Sequence, residues 1–435
     1  MIARACFVVV AMLMVCSISP CPAQEAATSL TISQAIQIAL QQSPQAQAAR
    51  YELASAEAAA APDRPVARPS ITATASGTEQ GPEVRLPGIS ASPILPEQFG
   101  QVKLEFDQPL YRAGLGAAKE RYLAERAIAQ QNYRKELADI ALSVAKACVD
   151  LLRAQAGLKA AEEGIAFAKQ YAALVEQQIT AGFGKPVDRT LAQSQTAEAE
   201  LGLAKAQGAY HLAKMNLNRL LGRPLEAPIQ IVPPASLPEP PPSPEEAIAT
   251  AQTQRPDLLL LNLQLQAAKA GLSLARLATQ PSLSFHAELA EQTRTALVPE
   301  HYAAATIELH WQLLDRGERK ADRTQAENAV ERLVALRKDA LSGVVLDVTQ
   351  AWQQMEEAKA QLALAQVQLE SSKASLTVAE KAYEVGQGTA LDIKNARQDY
   401  TMAQQSELQA QYALIAAEFA FRYAQGTLVP QQISK

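Results

Sequence analysis

A heptad repeat from Leu137 to Ile179 restricts this chain to very few architectures. Seven-residue steps from Leu137 reach Val144, Leu151, Leu158, Ile165, Ala172 and Ile179. Steps from Ile140 reach Ala147, Ala154, Ala161, Ala168 and Val175. Large residues at one seam position and mostly alanine at the other, held over six heptads, predict a long coiled-coil helix at close helix spacing. A strict period of seven underwinds the helices, so the partners supercoil left-handedly. The pattern recurs 204 residues later, with Leu341, Val348, Met355, Leu362, Leu369, Leu376 and Tyr383 on one line and Val344, Ala351, Ala358, Ala365, Ser372 and Ala379 on the other. The chain is a tandem duplication around two very long helices.

Its 435 residues would suffice for two or three ordinary domains, but only 5% are aromatic, which suits extended alanine-rich packing better than compact cores. The net charge of -5 is spread evenly and leaves no basic patch for nucleic acid. Residues 1–23 read as a signal peptide. Arg4 precedes an apolar run from Phe7 to Val15, and Cys21-Pro22-Ala23 offers small residues for cleavage before Gln24. The run is too short for a membrane-spanning helix. Cys21, after Ile18-Ser19-Pro20, is an alternative lipoprotein acceptor, disfavoured by the proline. After cleavage Cys148 is the only cysteine left, so no internal disulfide forms, and it reads as a small buried apolar residue.

The first repeat spans 24–222 and opens with a helix. Thr31 and Gln34 have capping-box spacing, Pro44 interrupts, and an alanine-rich helix follows to about Ala61. At an offset of 212 the second repeat, 244–435, restates this punctuation: Ser243 and Glu246, then Pro256, then Pro281-Ser282 for Pro69-Ser70. After those prolines the period changes to two. Four strands are predicted, at about 70–78, 101–110, 282–291 and 303–314, each apolar on one face and polar or charged on the other. Ser70 to Gly114 is 44 residues and Ser282 to Gly317 is 35. The extra residues fall in the Pro/Gly-rich loop around 81–100, a long loop of the kind that outer-membrane barrels place outside the cell. Helical hairpins are predicted at 112–221 and 316–425, turning at Gly182-Phe183-Gly184 and at Val385-Gly386-Gln387, with Asp188 and Asp392 just inside the return helices. A Pro-rich linker, 223–243, reads as extended.

No catalytic constellation is visible. The four histidines lack ligand spacing, and no phosphate loop or nucleophile elbow occurs, so the chain reads as no enzyme, with no cofactor and no metal. Asp188 and Asp392 read first as first-turn carboxylates favoured by the helix dipole. Four strands cannot close a membrane barrel, and an open sheet in lipid leaves unsatisfied edges, so several chains must share one barrel.

The duplicated strand-strand-long helix-turn-helix unit, the exit Pro109-Leu110-Tyr111... Gly114, and Tyr383-Glu384-Val385-Gly386... Leu391-Asp392 together resemble the TolC-type outer-membrane efflux proteins. The resemblance covers nearly the whole mature chain and is most specific at Tyr383–Asp392. It implies a mainly α fold with a small transmembrane β part: a homotrimer in which a twelve-stranded β-barrel continues into a twelve-helix α-barrel. It implies the outer membrane of a Gram-negative bacterium, lipid around the barrel, and partners in a periplasmic adaptor and an inner-membrane pump, for efflux or type I secretion. The matching positions for a periplasmic entrance gate are Tyr383, Asp392 and Asp188. Those for adaptor docking are Gly182, Phe183, Gly184, Val385, Gly386 and Gln387. Asn395 stands where some members carry a second aspartate, and Gly388 where some carry arginine. A different class of protein, a soluble periplasmic adaptor or coiled-coil scaffold without a pore, is the alternative. It would be released with the soluble periplasm rather than by detergent. The transported substrate is not written in the residues.

Overall fold

The computed structural model describes residues 28–59, 68–85, 88, 92–182, 186–234, 243–384, 387 and 390–429. The expected signal segment with Cys21 lies outside them. The elements in chain order are β1 (Thr28–Thr31), α1 (Ile32–Gln42), α2 (Pro44–Ala59), β2 (Ser70–Glu79), β3 (Gln98–Tyr111), α3 (Leu115–Thr180), α4 (Pro186–Leu221), β4 (Ile229–Val232), α5 (Pro244–Gln254), α6 (Pro256–Leu277), β5 (Ser282–Gln292), β6 (His301–His310), α7 (Glu318–Glu384) and α8 (Ala390–Gln425).

The two heptad helices are α3, 66 residues, and α7, 67 residues, each about 100 Å long at 1.5 Å per residue. Every described position on their seams is buried or half-buried, and each long helix packs along its return helix, α3 on α4 and α7 on α8. A further contact joins α3 to α8, so the four helices lie side by side in the order α4, α3, α8, α7. Nearer the strands α2 packs on α3, and α6 fits between α3 and α7. Although α6 is long and apolar enough to cross a bilayer, this packing makes it a wall helix.

The larger core cluster among the described residues lies partway along the helices. Leu137, Ile140, Val144, Leu151 and Leu152 of α3 close on α1, on Leu217 and Leu221 of α4, and on Ile415 and Phe419 of α8. Cys148 is fully buried there, and burial pushes its thiol up to about 12, which leaves it an inert apolar filler. A second cluster joins Ala247 and Ala251 of α5 to Val344, Val348 and Met355 of α7 and Phe421 of α8, with Trp352 edge-on to Phe421. Thr31 and Gln34 do form a reciprocal capping box on α1, and Ser243 accepts from the Glu246 amide on α5. Gly222 and Gly426 end α4 and α8 at φ 71° and 76°. Each lies against a kink between two short helices, where a Cβ would come within 3.0 Å of Gln42 O or of the Arg255 backbone.

Three sequence expectations are corrected. Strand β1 precedes the expected first helix. Residues 229–232 of the expected linker form β4, paired in parallel with β1 in the register Thr28↔Ile229 to Thr31↔Val232. Ile229 and Ile231 face the core and Gln230 and Val232 face outwards, a strand too short to announce itself and completed only by a partner 200 residues away. The fourth expected strand stops at His310 rather than 314, because its partner β5 begins only at Ser282, after Pro281. Trp311 instead donates its indole N–H to the Thr279 carbonyl at 3.2 Å.

Candidate functional site

The sheet β2-β3-β5-β6 is antiparallel throughout, and both of its edges, β2 and β6, are open within the chain. Its register aligns like with like. Ile71 pairs with Phe106, Phe106 with Ala287, and Ala287 with Ala305; the next row is Ala73, Leu104, Leu289, Ala303. One face is therefore a continuous apolar band, much of it exposed, including Ile71, Leu104, Leu289 and Ile307. Pro109 has no N–H for the ladder, and the register slips between Pro109 and Tyr111, where the strand turns toward α3.

The opposite face is polar. One row runs Ser70, Asp107, His286, Thr306 and the next Thr72, Glu105, Glu288, Ala304. Glu105 and Glu288 lie directly opposite each other, a like-charge pair that would repel. Lys103 relieves it, its Nζ 3.0 Å from Glu105 and 3.3 Å from Glu288, and the Tyr302 hydroxyl donates to Glu288 at 2.6 Å. Beside them the His286 ring is held at both nitrogens. Nδ1 contacts Asp107, and Nε2 lies 2.8 Å from Ser284 Oγ and 3.7 Å from Glu308. This cluster was missed in the sequence because its members come from three strands and only the register assembles them. The signal that was visible is the polar alternation that puts each of them on this face.

At the far end of the helices, Gly182 closes α3 at φ 82°, the left-handed conformation of a tight helix end. Glu176 and Arg189 bridge α3 to α4 with two hydrogen bonds, 2.7 and 2.8 Å, which hold the Glu176 carboxyl below its usual range. Arg397 of α8 lies 5.2 Å from the Phe167 ring centre of α3, tying the second hairpin to the first. Asp392 is exposed in the first turn of α8, and the exposed Gln387 donates its amide to the Ala382 carbonyl at 2.8 Å. Asp188 and Tyr383 lie in α4 and at the end of α7, their side chains outside what the structure describes; Phe183, Gly184, Val385 and Gly386 lie outside the described residues altogether.

A sheet with one apolar and one polar face, continued by helices about 100 Å long, defines an outer-membrane channel subunit. The model of the outer membrane efflux protein family matches residues 35–223 and 247–427, once per repeat. The chain belongs to that family, whose members are exit ducts of tripartite efflux and secretion systems in the outer membrane of Gram-negative bacteria, reaching into the periplasm. It is 22% identical over 345 residues to the outer membrane efflux protein BepC of Brucella suis, covering 77% of this chain and 74% of BepC. The fold matches that of VceC from Vibrio cholerae, with a TM-score of 0.75 at 20% identity over 91% of this chain and 96% of VceC. It also matches the CmeC outer membrane channel of Campylobacter jejuni, with a TM-score of 0.77 at 17% identity over 99% and 94% of the two chains.

Proposed function

We propose that three copies close into a single conduit, a twelve-stranded barrel in lipid above a twelve-helix tunnel in the periplasm, through which an adaptor and an inner-membrane pump deliver substrates to the outside. The observation that carries this reading is where the chain leaves apolar residues uncovered. On α4, Val187, Leu191, Leu201 and Leu212 are exposed, and with Ser194, Glu198, Lys205 and Gly208 they complete a spacing of four and three. On α7, Ala360, Leu364, Val367, Ser371, Ala374 and Val378 form a second such seam, also exposed. These two helices are the outer members of the row α4, α3, α8, α7. A seam of this period requires a helical partner, and the partner that fits α7 is α4 of the next copy. Leu201 and Val367 lie at similar distances from their tips, so Leu201→Cys combined with Val367→Cys should give oxidised dimers and trimers on a denaturing gel. Single variants should not. A monomeric, non-conducting protein in detergent and planar bilayers would overturn the reading.

In the same assembly the tips meet near the threefold axis. Gly182, Phe183, Gly184, Val385, Gly386 and Gln387 form the adaptor-facing rim, and Tyr383, Asp188 and Asp392 the entrance gate. Like charges brought together on an axis repel, so Asp392 acts mainly as a cation-selecting ring. Reversal potentials in a salt gradient test this: Asp392→Asn should lower cation preference with trimer yield unchanged. Unchanged selectivity would leave Asp392 as a helix-start carboxylate only.

A further inference from the structure

We infer that the barrel lumen holds a second ion-selecting ring, distinct from the tip, whose negative charge is lowered when His286 takes a second proton. This rests on the threefold barrel proposed above, in which the polar face of the sheet lines the pore. The charged groups on that face are Lys103, Glu105 and Asp107 on β3, Glu288 on β5 and Glu308 on β6; His286 and His310 are the other basic groups, and β2 contributes only Ser70, Thr72, Thr74, Ser76 and Thr78. Four carboxylates against one ammonium leave three negative charges per chain while the histidines are neutral. Lys103 is committed to Glu105 and Glu288. The remaining pair, Asp107 and Glu308, flank opposite sides of the His286 ring.

As a neutral ring His286 donates one proton and accepts at its other nitrogen, a pattern that Asp107 and the Ser284 hydroxyl satisfy. As imidazolium it donates at both, and Glu308 at 3.7 Å from Nε2 is the available second carboxylate. The cluster therefore accommodates either state without moving a strand. Protonation removes one of three net negative charges per chain, and threefold symmetry repeats the change around the ring. Histidine is the side chain that changes charge between about pH 5 and 8, a range in which ordinary carboxylates stay ionised. Cation preference should fall on acidification, and with it the attraction that the lumen exerts on cationic cargo.

The experiment is reversal-potential measurement on the full-length reconstituted channel in a potassium chloride gradient, at about pH 8 and about pH 5.5, spanning the histidine range. Ionic strength is kept near 0.01 M on the dilute side, where the Debye length is about 30 Å. The wild type should lose roughly two-fold in cation-to-anion permeability ratio between the two pH values. His286→Gln should match the wild type at the higher pH and hold that ratio at the lower one. Lys103→Gln should raise the ratio at both, Glu308→Gln should lower it at the higher pH, and His310→Gln should keep most of the step. Asp392→Asn should lower the ratio at both pH values and keep the step, because the tip ring lies in series. A conducting His286→Gln channel with the full wild-type step overturns the lumen ring alone. A wild type that does not conduct overturns the barrel and the ring together.

Discussion

Leu151 and Leu364 are the same side chain on two kinds of seam, and truncating each to alanine should separate folding from assembly. Leu151 is 1% exposed within the chain and packs in the largest core. Leu151→Ala should cost the fold itself about 2–5 kcal/mol, the transfer loss plus the cavity left behind. Leu364 is 57% exposed in the single chain, on the face of α7 turned away from α8. Full burial of a leucine side chain is worth about 1.5–3 kcal/mol, so sealing the exposed part against a neighbour contributes roughly 1–1.5 kcal/mol. A closed trimer repeats the contact at three interfaces, giving roughly 3–5 kcal/mol of assembly energy. That corresponds to two to four decades in the trimer dissociation constant, at about 1.4 kcal/mol per decade. Native mass spectrometry across a detergent dilution series reads the trimer fraction, and urea midpoints by circular dichroism read the fold. Leu364→Ala should dissociate at higher protein concentration than the wild type while unfolding at the same midpoint, and Leu151→Ala should lower the midpoint. A Leu364→Ala trimer as dilution-resistant as the wild type, or a midpoint that falls as far as in Leu151→Ala, would refute the assignment of this seam to a neighbouring chain.

Gly222→Ala and Gly426→Ala should each destabilise by about 1–3 kcal/mol, because positive φ and a close backbone neighbour both oppose a Cβ; calorimetric transitions equal to the wild type would contradict this. Burial raises the Glu418 carboxyl above the usual glutamate range, with Arg422 opposing. A raised carboxyl destabilises the fold above its folded pKa and ceases to do so as pH falls toward about 4.3, so the wild type should gain stability relative to Glu418→Gln on acidification across that window. Urea midpoints that run parallel with pH in the two proteins would count against it.

The long helices and the strands of the four-stranded sheet were legible because each uses a local period, seven or two, that residues within one element carry by themselves. Leu137, Val144 and Leu151 announce their face without reference to any other part of the chain. The β1–β4 pair was not legible, since four residues make too short a period and the register depends on a partner 200 positions away. The cluster around His286 failed for a related reason. Its polar face was readable from alternation on β5 alone, but Asp107, Ser284, His286 and Glu308 meet only once three strands are paired. At the tips the sequence supplied positions, Gly182, Asp188, Asp392 and their neighbours, but the role proposed for them depends on an assembly that no single chain contains.

Closure by one neighbour follows from how the layers are ordered. In the sheet the order is β2, β3, β5, β6. In the helices near the strands it is α2, α3, α6, α7, and near the tips it is α4, α3, α8, α7. In every layer one end belongs to the first repeat, as β2, α2 or α4, and the other to the last strand of the second repeat and the helix that continues it, β6 and α7. The interior joint is also the same in each, β3 beside β5 and α3 beside α6 and then α8. A neighbour that meets β6 with its β2 is therefore already placed to meet α7 with its α2 and α4. Four elements per chain in each layer would make twelve in the proposed trimer, with no layer left short. Closure and duplication are thus linked: each repeat contributes two members to every layer, and in the proposed assembly the heterologous contact that closes one layer closes all of them.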